Sequence, residues 1–150
     1  MNLMAESEVV WAASMQDTPG TLANKLAALA EAGADLGFII ARRSPEKPGT
    51  GVVFVTPLRG DREIEAATEE GFSATSHLHS VRVEGQNVPG IAALITGKIA
   101  KAGLNLRGFS GAVIGTQYVV HLAFDTAETA QQAIATLSEA RPRQDPASAS

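Results

Sequence analysis

Apolar residues along this chain switch repeatedly between a strand rhythm and a helix rhythm. Residues 8–15 read as a strand, rich in Val9, Val10 and Trp11. Leu22, Leu26, Leu29 and Ala30 then recur at helical spacing. Thr18 stands where a helix cap belongs, with Pro19 at the first helical position, where its missing N–H costs nothing. Gly33 fits the left-handed residue just past the helix end. Residues 36–42 predict a strand through Leu36, Phe38, Ile39 and Ile40, and residues 43–51, with two Pro and two Gly, predict a loop. Residues 52–56 predict a buried strand of β-branched and aromatic residues. Asp61 can cap a short helix through Ile64 and Ala67 that stops at Gly71, and residues 72–77 predict a short closing strand.

The same order then starts again. Residues 78–84 open a strand, and a helix over 89–102 places Ile91, Leu94, Ile95, Ile99 and Ala102 on one face. Gly103 ends that helix, residues 104–110 form a strand, and Gly115 marks a turn. In residues 117–124 the alternation of Tyr118, Val120, Leu122 and Phe124 puts one strand face on the core. Asp125 or Thr126 caps a last helix carrying Ala130, Ala133, Ile134 and Leu137. The two halves are a literal repeat. Gln16, Asp17, Thr18, Pro19 and Gly20 return as Gln86, Asn87, Val88, Pro89 and Gly90, and Ala32, Gly33, Ala34, Asp35 and Leu36 return as Ala102, Gly103, Leu104, Asn105 and Leu106, both displaced by 70 residues. Each half reads β-α-β-β-α, with a closing strand clear only in the first. In the second, either part of the tail pairs or a strand arrives from elsewhere. The expected fold is α+β, two ferredoxin-like βαββαβ units with antiparallel sheets and helices on one face. The expected organisation is an N-terminal extension over 1–7, a first unit over 8–77, a second over 78–140, and a disordered tail over 141–150, where two Pro and two Ser fall in ten residues.

Composition narrows the function classes. The 150 residues are 45% hydrophobic and 19% charged, an ordinary globular profile. A net charge of −4, with basic residues clustered only at Arg42/Arg43 and Arg141/Arg143, argues against direct nucleic-acid binding. The absence of Cys excludes disulfides, thiol catalysis and Cys-type zinc sites. Glu6 and Glu8 do not suit a signal peptide and the apolar runs are too short for a membrane span, so the expected location is the cytoplasm.

The helix entrances carry the sharpest chemistry. A helix start leaves backbone N–H groups unpaired beside a partial positive charge, and a Gly there lets a ligand approach the backbone. Together these make a seat for a carboxylate. The two entrances differ. Thr18 can cap its helix whereas Val88 cannot, although Asn87 can cap if the helix starts one residue earlier. Asp17 and Asp35 repel a carboxylate, while Asn87 and Asn105 can bond both the ammonium and the carboxylate of an amino acid. The second entrance is therefore the better amino-acid site, and the first is degenerate, suited to a cationic group, or structural.

These repeated motifs, in this element order, resemble a tandem pair of ACT domains over about residues 8 to 140. The resemblance is to free-standing regulatory pairs such as the glycine-cleavage repressor type. It implies a non-catalytic small-molecule-binding regulator, most often of amino acids, with ligand at a domain interface against the loop between a unit's first strand and first helix and the start of its second strand. Carried over by position, the contacts are Asn87, Val88, Pro89, Gly90 and Asn105, with Asp17, Thr18, Pro19, Gly20 and Asp35 as the counterpart. It also implies a homodimer or other homo-oligomer and a metabolic enzyme as regulated partner, with a ligand that bridges two units favouring one arrangement of them.

Other chemistries find less support. His77 and His79 lie two apart, so one strand face can present both, but His121 falls in the phase of Val119 and Ala123, opposite Val120 and Leu122. Three ligands on one side need a bulge or a second subunit, so no metal and no cofactor is expected. No nucleophile motif surrounds any Ser, and Gly108, Gly111 and Gly115 follow a strand without a helix after them, which suits turns better than a phosphate cradle. Lys98 and Lys101 read as a solvated helix face. The alternative function is a structural or protein-interaction module that regulates a partner enzyme without a ligand, dimerising through sheet faces or edges.

Overall fold

The computed structural model describes residues 3–138, so the tail over 141–150 lies outside the described residues. The elements follow as β1 (Met4–Glu8), β2 (Trp11–Gln16), α1 (Thr21–Glu31), β3 (Phe38–Arg43), β4 (Thr50–Thr56), α2 (Gly60–Glu69), β5 (Ser73–Ala74), β6 (His79–Gln86), α3 (Ile91–Lys101), β7 (Gly108–Ile114), β8 (Gln117–Phe124) and α4 (Ala127–Ser138). They form two compact units. The first is Val9–Ser76; among the described residues the second joins 3–8 to 77–138. Their sheets run β3-β4-β2-β5 and β1-β6-β8-β7, antiparallel throughout. The fold is α+β, and from β2 to α4 the elements come in the order that the hydrophobic pattern predicts.

Each sheet buries one face under its helices. In the first unit Ala13, Val53 and Val55 pack with Leu29, Ala67 and Phe72. In the second, Val81, Val83, Val120, Leu122 and Phe124 meet Ile91, Ile95, Ile99, Ala133 and Leu137. Full burial of such a side chain stabilises by about 1.5–3 kcal/mol each. The helix exits explain the repeated Ala-Gly. Gly33 (φ 92°) donates to Ala30 O and Ala34 to Leu29 O, and Gly103 (φ 76°) and Leu104 do the same to Ala100 O and Ile99 O. This paired 6→1 and 5→2 pattern requires a left-handed residue, which only Gly adopts without strain. At the last helix Thr126 Oγ1 accepts the Thr129 N–H at 3.1 Å, so Thr126 and not Asp125 is the cap. Asp61 lies within the first turn of α2 and caps nothing; Glu63 instead accepts the N–H of Arg59 at 3.0 Å.

The closing strand of the second unit comes from the start of the chain. Residues 1–7 carry little pattern, yet β1 pairs along β6 from Met4 opposite Glu84 to Glu8 opposite Ser80. The single strand read over 8–15 is thus two, with Glu8 ending one and Trp11 beginning the next. Leu3 and Ala5 add to the core. On the helix-free face Glu8 anchors the strand: its Oε1 accepts from Ser80 Oγ at 2.9 Å and also bonds Nδ1 of His121. Ser80 and His121 are buried.

One corner of the core differs between the units. Tyr118 stands opposite Gly85 and Val113 in β8 and is buried, and its hydroxyl has no partner among the described residues. The equivalent residue of the first unit is Gly51, opposite Met15. A Cβ on Gly51 would meet Arg42 O at 2.8 Å, so that unit fills the corner from β2 with a thioether. The second fills it from β8 with a phenol. Burial first, and the Glu84 carboxylate second, push the Tyr118 hydroxyl above its ordinary pKa.

Two outcomes follow. Glu8→Ala strips two buried polar groups of their acceptor and is expected to cost about 3 kcal/mol, read as a lower urea midpoint. Tyr118→Phe removes an unsatisfied buried hydroxyl and is expected to stabilise by about 1 kcal/mol at neutral pH. Because the folded-state pKa is raised, the neutral hydroxyl is favoured below the unfolded value of about 10. The wild type therefore loses stability as pH climbs past that value, and the Tyr118→Phe variant is spared this loss in a pH series of unfolding curves.

Candidate functional site

The repeated Pro-Gly forms a turn ahead of each helix. In the first unit the Asp17 N–H reaches Gly49 O at 3.0 Å, and the Thr21 N–H reaches Thr18 O at 3.3 Å across Pro19 and Gly20. Gly20 has φ 89° and ψ −15°, the geometry of the third residue of a type II turn, with Pro in its favoured second place. The second unit repeats this. The Asn87 N–H reaches Thr116 O at 2.8 Å, the Ile91 N–H reaches Val88 O at 3.2 Å, and Gly90 has φ 83° and ψ 8°. Pro19 and Pro89 therefore precede the helices, which begin at Thr21 and Ile91. Neither Thr18 nor Asn87 caps, since no side chain caps either helix. Thr18 Oγ1 instead bonds Thr21 Oγ1 at 2.7 Å. The physical reason is the left-handed Gly, which cannot belong to a right-handed helix and so shifts its start by two residues.

This geometry leaves donors exposed. The Leu94 N–H goes to Gly90 O at 3.0 Å, but the N–H groups of Ala92 and Ala93 have no partner among the described residues. Leu22 and Ala23 are in the same position in the first unit, where the Asn24 N–H goes to Gly20 O at 2.9 Å. Pro89 and Gly90 are exposed, Val88 is 37% exposed and Asn87 is half-buried.

Electrostatics separate the two entrances. Asp17 Oδ2 accepts from Arg43 Nε at 2.8 Å. Seventy residues on, Asp17 becomes Asn87 and Arg43 becomes Val113. The first entrance thus holds a carboxylate whose charge is already matched, and the second holds a neutral amide with no side-chain partner among the described residues. Arg43 was not legible as part of the site from its loop-like surroundings; the signal was its replacement by Val113 at the repeat offset.

Asn87 and Asn105 do not converge within their unit. Asn87 follows Gln86, which pairs with Gln117, whereas Arg107, two residues after Asn105, donates to Ala123 O at 2.8 Å. Six strand residues separate those ends, about 20 Å. The first unit is alike: Asp17 follows Gln16, opposite Thr50, while Gly37, two residues after Asp35, donates to Thr56 O at 2.9 Å. Asp35 and Asn105 are exposed. One ligand therefore cannot touch both Asn side chains of a single unit, because the intervening helix carries the chain from one end of the sheet to the other.

The remaining chemistry is sparse. Among the described residues no three His, Asp or Glu side chains gather as metal ligands, and no helix is long and apolar enough to cross a membrane. Gly115, at φ 61°, turns the chain between β7 and β8.

No protein-family model matches the sequence, and no curated protein matches it. Solved structures do. Protein BT0572 from Bacteroides thetaiotaomicron superposes with a TM-score of 0.73 at 14% identity, covering 87% of this chain and 88% of that one. The ligand-free regulatory subunit of aspartate kinase from Thermus thermophilus gives 0.64 at 19% identity, covering 95% and 98%. The regulatory subunit of aspartate kinase from Thermus flavus gives 0.57 at 21% identity, covering 93% and 97%. These likenesses, together with the paired motifs and sheet orders, give the chain its fold: the ACT-type ferredoxin-like fold, present twice.

Proposed function

We propose that this protein is a non-catalytic regulator that binds a small amino-acid-like ligand at the turn formed by Asn87, Val88, Pro89 and Gly90. The observation that carries the reading is the pair of unpartnered N–H groups on Ala92 and Ala93, set beside a Gly without a side chain and a neutral amide. Backbone N–H groups at a helix start favour a carboxylate. The Asn87 amide has a carbonyl for an ammonium and an NH2 for a carboxylate. The fold is shared with proteins described as regulatory subunits of aspartate kinase, which supports a regulatory role. In this reading the first entrance, with Asp17 engaged by Arg43, is structural, and Asp35 takes no part in it.

Asn105 joins such a ligand only from another unit, so binding is tied to assembly. A ligand that touches two units favours the arrangement in which both reach it, and a regulated enzyme reads out that shift in population.

The test is a thermal-shift screen of the full chain against the twenty amino acids, followed by calorimetry. A ligand at 100 times its Kd stabilises by about 2.7 kcal/mol. Asn87→Ala is expected to abolish the shift and Asp17→Ala to leave it. An unchanged Kd in Asn87→Ala overturns the assignment of the turn. No shift with any amino acid, from a folded sample, overturns the ligand reading in favour of an interaction module.

A further inference from the structure

The turn before α3 lies at a sheet end that carries no charge. Strands β6 and β7 both run antiparallel to β8, so they run parallel to each other and finish at the same end. There Gln86 pairs with Gln117, Gln117 with Ile114, and the Asn87 N–H reaches Thr116 O at 2.8 Å. Gln86, Asn87, Val88, Val113, Ile114 and Gln117 are all uncharged. Further back along β6, Glu84 follows the core-facing Val83, so it belongs to the helix-free face, and Arg82 already matches it at 2.7 Å. Lys98 and Lys101 stand in the last turn of α3, at its far end.

Two exposed valines flank the turn. Val113 stands opposite the core-facing Tyr118, which puts it on the helix side of the sheet, 53% exposed. Its counterpart in the first unit shows what this position reaches: Arg43 Nε meets Asp17 Oδ2 at 2.8 Å. Asn87 takes the place of Asp17, and a valine ends well short of a guanidinium. The space beside Asn87 is therefore open, and its wall is apolar. Val88 stands at the start of the helix, where its counterpart Thr18 bonds the first helical residue, Thr21, at 2.7 Å. Thr18 and Arg43 thus become Val88 and Val113, so a polar, charged surround in one unit is apolar in the other. Tyr118 is buried, so its hydroxyl offers nothing to a ligand at the surface.

We infer that the amino acid held at this turn carries an apolar side chain, seated between Val88 and Val113, and that Val113 is the residue that selects it. The inference rests on the amino-acid reading of the turn proposed above and adds the class of side chain. A charged side chain here would leave water for an apolar wall with no counter-charge at this sheet end. A hydroxyl or amide gains no partner from two valines. Each methylene buried against them instead strengthens binding, about fourfold when burial is complete.

Calorimetry of the full chain with leucine, isoleucine, valine, methionine, alanine, serine, aspartate and lysine tests this. Leucine is expected to bind about tenfold tighter than alanine, since a wall this exposed buries only part of the side chain, and aspartate and lysine are expected to bind weakest. Val113→Ala is expected to shrink the leucine-to-alanine ratio, and Val113→Arg, which restores the first unit's residue, to reverse the order of leucine and aspartate. Circular dichroism checks that each variant is folded, and Val88→Ala supplies the same ratio should a Val113 variant not fold. A serine, aspartate or lysine that binds tightest, and is lost in Asn87→Ala, overturns this inference and leaves the amino-acid site standing. A leucine-to-alanine ratio unchanged in the folded variants overturns the role of the valines. No binding of any amino acid by the folded wild type overturns the reading on which the inference rests.

Discussion

The pairing of Met4–Glu8 with His79–Gln86 is the contact on which the second unit depends. Without it β6 is an open edge, the core loses Leu3 and Ala5, and His121 and Ser80 lose the carboxylate that satisfies them. It also sets a constraint on the chain. The whole of Val9–Ser76 is inserted between β1 and β6, so its two ends must leave and return at the same place. Side-chain hydrogen bonds hold them there. Thr56 Oγ1 donates to Val9 O at 2.7 Å, and Thr75 donates to Val10 O from its backbone N–H at 3.0 Å and its hydroxyl at 3.1 Å. Glu8 then fixes the next turn of the path on the second unit. The Val9 and Val10 carbonyls are thereby satisfied.

What could be read from residues alone follows the range of the forces involved. The helix exits are local: Gly33 and Gly103 are required by bonds that span six residues, so their sequence signature suffices. The strand phase of Tyr118, Val120, Leu122 and Phe124 is equally local, and all four face the core. The entrances were half legible. Pro and Gly mark a break, but the same two residues suit a helix start or a type II turn, and only the sign of φ at Gly20 and Gly90 decides between them. Strand β1 had no signature because its inward residues, Ala5 and Ser7, are small or polar and its outward ones include Met4. Its place is dictated by a partner more than seventy residues away, and the one trace of it in the sequence was the missing last strand of the second unit.

The candidate site shows the limit of reading equivalent residues as neighbours. Asn87 and Asn105 change together between the copies, which invites a shared role, yet an eleven-residue helix separates them. A helix of that length spans about 16 Å. Residues flanking the same helix at its two ends are the pair least able to meet within a unit.

The exchange at Asp17 and Arg43 carries the comparison further. In the first unit the two charges form an ion pair that ties the turn before α1 to the end of β3. In the second both are gone, replaced by Asn87 and Val113. Losing only the Arg would leave an unmatched carboxylate at the turn; losing only the Asp would leave an unmatched guanidinium on the strand edge. Removing the two together does both things at once: it frees the turn from its internal counter-ion and strips β7 of the charge that would keep another strand away. The paired substitution thus leaves the second turn without an internal counter-ion and β7 without the charge that β3 keeps at Arg43.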